Sequence, residues 1–238
     1  MFAVDRPPRK QLVKYAPSNL WWHSHKVCGG EILSICHNPK GRLIVCTQKG
    51  VEIYNSDYER VHSFQSEITL RTLAFSDGTC YAICSKSYTF DGFFFEIQEL
   101  CRLDVNLTNP TVLHQVGQVQ KITASAKYIA LMSQPSNAVY IYEITIGTSF
   151  EIHRDDMTFG LRDIHFRDAN RLLILNRTKL FNYDVLTRRI VWIVGIGMQA
   201  LLVDMSDRFI LVVRSEEECL PARRSIVVIA STGKENLS

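Results

Sequence analysis

Apolar and polar residues along this chain fall into one layout five times. An alternating segment is followed by a polar tight turn, a short apolar run, a second turn and another alternating segment. The first unit has its apolar segments at 31–36, 42–46 and 51–55, broken by turns at Asn38–Gly41 and Gln48–Gly50. The second has them at 70–75, 80–84 and 93–97, with Ser76-Asp-Gly78 as the turn, and the third at 119–124, 128–132 and 138–143, with Pro135-Ser-Asn137. The fourth has 161–166, 171–175 and 180–184 around Arg167-Asp-Ala-Asn170, and the fifth 198–203, 209–213 and 225–230 around Ser206-Asp207. A period of two predicts strands with one face buried, and continuous apolar runs of four or five residues predict strands covered on both faces. Val, Ile, Leu, Tyr and Phe suit a pleated surface, whereas Gly, Asn and Asp accept the positive φ of hairpin turns.

The turn positions Gly41, Gly78, Lys127, Asn170 and Asp207 recur at intervals of 37, 49, 43 and 37 residues. That is close to the ~40–45-residue period of four-stranded repeat units. A fourth, outer strand is predicted in four units, at 60–64, 111–114, 150–153 and 189–193. The fifth unit has no such segment within the eight residues after Ala230, and the run Leu20–Val27 precedes the first unit, where the missing strand would come from. The one sizeable helix-compatible stretch, 93–103, begins with three Phe, which argues for a strand. A generic sandwich or barrel with coincidental spacing is the competing architecture.

Some third strands end in Ile53-Tyr54-Asn55, Ile141-Tyr142-Glu143 and Asn182-Tyr183-Asp184, which resemble the Trp-Asp end of a WD repeat with Tyr in place of Trp. Pro39-Lys-Gly-Arg-Leu-Ile-Val45 and Phe75-Ser-Asp-Gly78 resemble the loop before the second strand of such repeats. The resemblance runs from Leu20 to Ala230, without the Gly-His and Trp-Asp pairs. It implies an all-β propeller of about five four-stranded blades, either closed by the N-terminal strand or completed by a partner's strands. The domain would span 20–230, between tails at 1–19 and 231–238.

Composition narrows the function. Hydrophobic residues are 46% and charged residues 21% of 238, so the chain can bury a sizeable core. The net charge of +3 is too balanced to call for nucleic acid or a membrane surface by charge alone. No apolar stretch reaches the length of a spanning helix, and Asp5 with two prolines interrupts what a signal peptide would need. Seven scattered cysteines, odd in number and without a Cys-x-x-Cys pair, read as reduced core residues of a cytoplasmic or nuclear protein.

Catalytic motifs are absent. There is no Gly-x-Ser-x-Gly elbow, and Gly195-Ile-Gly197 lacks the third glycine of a phosphate loop. His23-Ser-His25 and Cys36-His37 place too few ligands together for zinc, so no metal and no cofactor are expected. Asp155, Asp156 and Asp163, with Arg162 and His165, form the one neighbourhood where a channel-mouth hydrolase or lyase would be sought. On a loop such carboxylates ordinarily bond turn N–H groups, and Asp163 is read as such an anchor.

The expected role is therefore a non-enzymatic protein–protein interaction scaffold, a subunit of a larger complex that contacts proteins through its faces or blade edges. A nucleic-acid-binding propeller is the alternative, but its aromatics sit in strand cores rather than in a basic stripe. Candidate partner contacts are Trp21 and Trp22, one of which must face outward on a strand. The others are Glu216, Glu217, Glu218, Arg223 and Arg224, in an insertion of about ten residues between strands. The basic start Arg6-Pro-Pro-Arg-Lys10 reads as a flexible docking tail.

Overall fold

The alternating segments are strands, each paired with its neighbour in sequence. A computed structural model describes 32–196 with side chains, apart from positions 39, 58, 66–67, 105–106, 108, 134 and 153 and the side chains of 37, 64, 65 and 94. Outside that range it describes only the backbone of strands. The chain divides into two compact units, Met1–Leu73 with Gly78–Gln115, and Ala74–Asp77 with Val116–Ser238.

In the first unit, β1 (Phe2–Val4), β2 (Gln11–Tyr15) and β3 (Trp22–Lys26) form a three-stranded antiparallel sheet. Next comes a four-stranded meander, sheet I, of β4 (Ile32–His37), β5 (Leu43–Thr47), β6 (Gly50–Tyr54) and β7 (Arg60–Gln65). Sheet II contains β8 (Thr69–Ser76), β9 (Thr79–Phe90), β10 (Phe93–Leu103) and β11 (Pro110–Val116), of which Ala74–Ser76 and Val116 fall in the second unit.

The second unit repeats the meander three times. Sheet III is β12 (Lys121–Ala124), β13 (Tyr128–Ser133), β14 (Ala138–Glu143) and β15 (Thr148–Ile152), followed by the one-turn helix α1 (Asp155–Thr158). Sheet IV is β16 (Asp163–Phe166), β17 (Arg171–Leu175), β18 (Lys179–Asp184) and β19 (Arg189–Gly195). Sheet V is β20 (Ala200–Met205), β21 (Phe209–Glu216), β22 (Arg223–Ala230) and β23 (Glu235–Asn236).

All five expected units are present, with four strands each in simple antiparallel order. Two details differ from the sequence expectation. The Trp22–Lys26 strand does not supply the fourth strand of sheet V; it pairs with Gln11–Tyr15, and Glu235–Asn236 completes sheet V. The segments read as tails thus contain β1, β2 and β23. A hairpin partner a few residues away closes at less entropic cost than one on the far side of the chain, and these short strands lack a hydrophobic pattern strong enough to announce themselves.

Burial follows position in the sheet. The second strands β5 and β13 are buried at every residue, as their apolar runs predict. The outer strand β19 alternates, with every second residue exposed along most of its length. Turns are set by side-chain acceptors: Asn38 Oδ1 receives the N–H groups of Lys40 and Arg42 (3.0 and 2.9 Å), and Asp168 Oδ1 those of Asn170 and Arg171 (3.0 and 2.9 Å). Asp77 and Gly78 both have positive φ, the requirement of a two-residue hairpin turn between β8 and β9.

Sheets III and IV share one core. Ile141, Ile152, Ile164, Leu172, Ile174 and Phe181 fill it, and Met157 of α1 is fully buried against it. Three polar contacts join their first strands in register. Lys121 is ion-paired with Asp163, the Phe166 N–H donates to Thr123 Oγ1 (3.1 Å), and the Ser125 hydroxyl donates to the Ala169 carbonyl (3.0 Å). The partners lie 42, 43 and 44 residues apart, close to the repeat interval in the sequence. In the first unit, Leu43, Val45 and Tyr54 of sheet I form a smaller cluster with Ile32 and Ile35.

Thr123 tests the register between sheets III and IV. Thr123→Val keeps the shape but strands the buried Phe166 N–H, and is expected to cost about 1–3 kcal/mol in urea unfolding. Thr123→Ser should cost clearly less. A valine variant as stable as the parent would remove the hydroxyl from this account.

Candidate functional site

The connection from sheet III to sheet IV builds a hollow in the second unit. The Arg154 carbonyl accepts the N–H groups of Met157 and Thr158 (both 2.9 Å), closing the single turn of α1. Asn176 Nδ2 donates to the Asp156 carbonyl (3.1 Å), tying that turn to sheet IV. Asn137, at positive φ in the β13–β14 turn, accepts the Gly160 N–H (3.1 Å). These bonds hold the two loops apart around an open hollow of about 690 Å³, with Ile152 among its lining residues. Glu151, Asp155, Asp156 and Arg154 also line it, and Phe159, also in the lining, is 68% exposed.

Arg154 lies 3.3 Å from Asp156, so one carboxylate is neutralised within the hollow. Three carboxylates, Glu151, Asp155 and Asp156, line it against one guanidinium, Arg154, so the lining is acidic in formal charge. An acidic hollow beside an exposed phenyl ring suits a cationic and apolar side-chain pair and repels phosphate.

The residues singled out from the sequence are dispersed. Asp155 and Asp156 line the hollow, whereas Asp163 is buried and spent on structure: its Oδ1 accepts the Ile164 N–H (2.8 Å) and pairs with Lys121. It does bond a backbone N–H, but within strand β16 rather than in the turn expected of it, because the side chain is held against sheet III by Lys121. Arg162 is exposed and His165 half-buried on β16.

Trp21, Glu217 and Glu218 lie outside the described residues, as do Arg6–Lys10. Of Trp22, Glu216, Arg223 and Arg224 only the backbone is described. Trp22 opposes Tyr15, Glu216 opposes Arg223 and Ser215 opposes Arg224, so three of the candidate contacts in the expected insertion, Glu216, Arg223 and Arg224, are strand positions. The strands extend into the polar segment because hairpin pairing tolerates charged residues, especially of opposite sign, at a sheet's end. His23 and His25 are likewise described by backbone alone, and Cys36 is half-buried. Among the described residues no group of three or more His, Cys, Asp or Glu is placed to hold a metal. No helix there is long and apolar enough to cross a membrane, which says nothing of crossing by strands.

Sequence reasoning missed the extent of the β9–β10 hairpin. Asp91 and Gly92, both at positive φ, close it, and its register pairs Phe90 with Phe93, Tyr88 with Phe95 and Lys86 with Ile97. The Asp-Gly pair between Phe90 and Phe93 is the signal that could have found it. Arg71 of β8 pins the hairpin, with Nε 3.3 Å from Ser85 Oγ and 3.1 Å from Glu96 Oε1, while the Ser85 hydroxyl also bonds Glu96.

No protein-family model matches the sequence, and neither does any curated protein. Solved structures do match it. A Bacteroides caccae protein of unknown function superposes with a TM-score of 0.66 at 11% identity, over 98% of this chain and 90% of that one. KlAtg21, solved with the coiled-coil of AgAtg16, gives 0.65 at 15%, over 96% and 76%. The β-propeller domain of the Trilobed protease from Pyrococcus furiosus gives 0.54 at 14%, over 73% and 57%.

The fold is a β-propeller. The five meanders are its blades, divergent from the WD-repeat pattern they resemble, and identities this low carry the fold and nothing finer. In propeller terms the acidic hollow sits on the connection between the third and fourth blades, and the long hairpin is the middle pair of strands of the second.

Two chemical expectations follow. All five described cysteines are free thiols, and burial pushes Cys36 up to about 12 and Cys46 and Cys80 also well above the ordinary range. Native protein at about pH 8 should therefore resist iodoacetamide at these three positions and react at all of them once unfolded, as read by peptide mass spectrometry.

The Glu96 carboxyl is held below its usual range, first by the Ser85 hydrogen bond and then by Arg71, against the opposing effect of partial burial. A lowered folded pKa gives stability that is complete above the unfolded value of about 4.3 and lost as pH falls through the folded value. The stability gap between the parent and Glu96→Gln should thus shrink on going from about pH 5 to about pH 3. A gap unchanged by pH would refute the assignment.

Proposed function

We propose that this protein is a non-enzymatic propeller that holds protein partners as a subunit of a larger complex. The observation that carries the reading is the hollow on the connection between the third and fourth blades, acidic in balance and bordered by the exposed Phe159. Such a site takes up a basic segment with an adjacent apolar side chain, and loops held by a rigid sheet scaffold are the usual carriers of recognition.

Further support comes from what the polar residues are engaged in. Asp163 is committed to Lys121 and to the Ile164 N–H, and Arg154 to Asp156. An acid–base pair would instead need groups poised toward a reacting atom. KlAtg21, of like fold, was solved in complex with another protein's coiled-coil, which is the kind of role proposed. An acidic hollow also argues against the nucleic-acid reading, since phosphate contacts dominate such binding. Free buried thiols suit the cytoplasm or nucleus, where the proposal places the protein.

The test is affinity capture with the whole chain against an Asp155→Lys/Phe159→Ser variant, read by quantitative mass spectrometry. Specific proteins recovered with the parent should fall at least about tenfold with the variant, while circular dichroism stays the same. Equal recovery from both would move the binding site away from the hollow, and turnover of a small substrate by the pure parent would end the non-enzymatic reading.

A further inference from the structure

Within the second blade the hairpin outgrows its neighbours. Strands β9 and β10 have twelve and eleven residues, whereas β8 and β11 have eight and seven. Strand β8 enters β9 through the two-residue turn Asp77–Gly78, so its eight residues reach along β9 no further than Lys86. Strand β11 can cover at most seven of the eleven positions of β10. Ser87–Phe90 therefore extend past the end of β8 and, with the residues opposite them, form the finger of the hairpin.

One face of this finger is apolar. Phe90, Phe93, Tyr88, Phe95 and Ile97 alternate along the two strands onto the same side, in register with one another. They are 74, 67, 49, 51 and 36% exposed. At about 200 Å² per aromatic side chain, the stripe leaves about 500 Å² of contiguous apolar surface in water. That is near the top of what a monomer ordinarily shows. A two-stranded ribbon is marginal by itself, and a wet aromatic face makes it no better.

Charged residues flank the stripe at both ends. Lys86 lies at the base, paired across the strands with Ile97 and 3.1 Å from Glu99, and Asp91 lies in the turn at the tip. At about 3.4 Å per residue they are separated by roughly the length of the stripe.

We propose that the aromatic face of the finger docks on the same face of a second copy of this chain, the two fingers stacked antiparallel about a two-fold axis. In that arrangement stripe covers stripe, and the Asp91 turn of each copy lies over the base of the other, where Lys86 and Glu99 form an ion pair. A parallel stack would set Asp91 against Asp91. Two stripes bury about 1,000 Å² in total, which reaches the lower bound for a specific interface and falls short of the standard size. The dimer is accordingly weak and reversible, in the micromolar range. A lipid surface fits less well, because Asp91, Glu96 and Glu99 outnumber Lys86 and Arg102 along the hairpin, leaving no excess of positive charge for anionic headgroups.

Sedimentation velocity of the full chain from about 1 to about 200 μM is the test. The expected result is a concentration-dependent monomer–dimer equilibrium whose dissociation constant rises at least about thirtyfold in Phe90→Ser/Phe95→Ser. Circular dichroism and melting should be unaltered, since both side chains are exposed. A parent that stays monomeric throughout, or a dimer that Phe90→Ser/Phe95→Ser leaves unchanged, overturns the proposal. Finger-dependent flotation of a monomeric parent with phosphatidylcholine vesicles overturns it in favour of lipid.

Discussion

A four-stranded antiparallel meander whose middle strands are apolar on both faces cannot be stable alone, and that constraint organises this protein. Strands β5, β13 and β17 would expose one of two hydrophobic faces unless another layer covered it. In the second unit the cover is the next meander: Ile141, Ile164, Leu172 and Phe181 meet between sheets III and IV. Hydrophobic contact is non-directional and would tolerate sliding, so something must fix the register. The Lys121–Asp163, Thr123–Phe166 and Ser125–Ala169 contacts do so, with the sheet III partners at every second position. A slip of one residue would leave a buried N–H and a largely buried carboxylate unpaired.

That rigid stacking leaves the connections free to specialise. Between the third and fourth blades the connection is a single helical turn, anchored from below by Met157 and from the sides by Asn137 and Asn176. Its outer surface has no packing role, so Phe159 and the acidic side chains there can serve recognition without loss of stability. The second blade departs from the pattern in another way, by lengthening its central hairpin. Such an extension is compatible with the scaffold because the Arg71–Ser85–Glu96 cluster fixes where the blade stops and the finger begins.

The strands were legible because burial imposes a short-range code. Tyr128–Ser133 has to be apolar at nearly every position if both faces are covered, and Arg189–Gly195 has to alternate if one face is wet. Asn38 and Asp168 were legible as turns because their side chains cap backbone N–H groups within four residues of themselves. The candidate site was far less legible. Asp155 and Asp156 stand out as carboxylates, but Phe159 and Asn137 carry no motif, and they meet only because the β13–β14 turn and the connection between the third and fourth blades lie side by side. The aromatic run at Phe93–Phe95 reads as strand and is one, yet nothing local says that Phe93 and Phe95 stay in water.

Taken by itself, then, the sequence determined the five-fold repetition, the strand and turn positions, and the propeller class, all of which rest on periodicity and on interactions spanning a few residues. Only the tertiary structure decided which strands end up together across longer distances. It paired Trp22–Lys26 with Gln11–Tyr15, gave Glu235–Asn236 to the fifth blade, assigned Asp163 to Lys121 and left the β9–β10 face uncovered. The physical reason is that an apolar residue signals its need for burial locally, whereas whether anything is there to bury it depends on the length and placement of neighbouring strands.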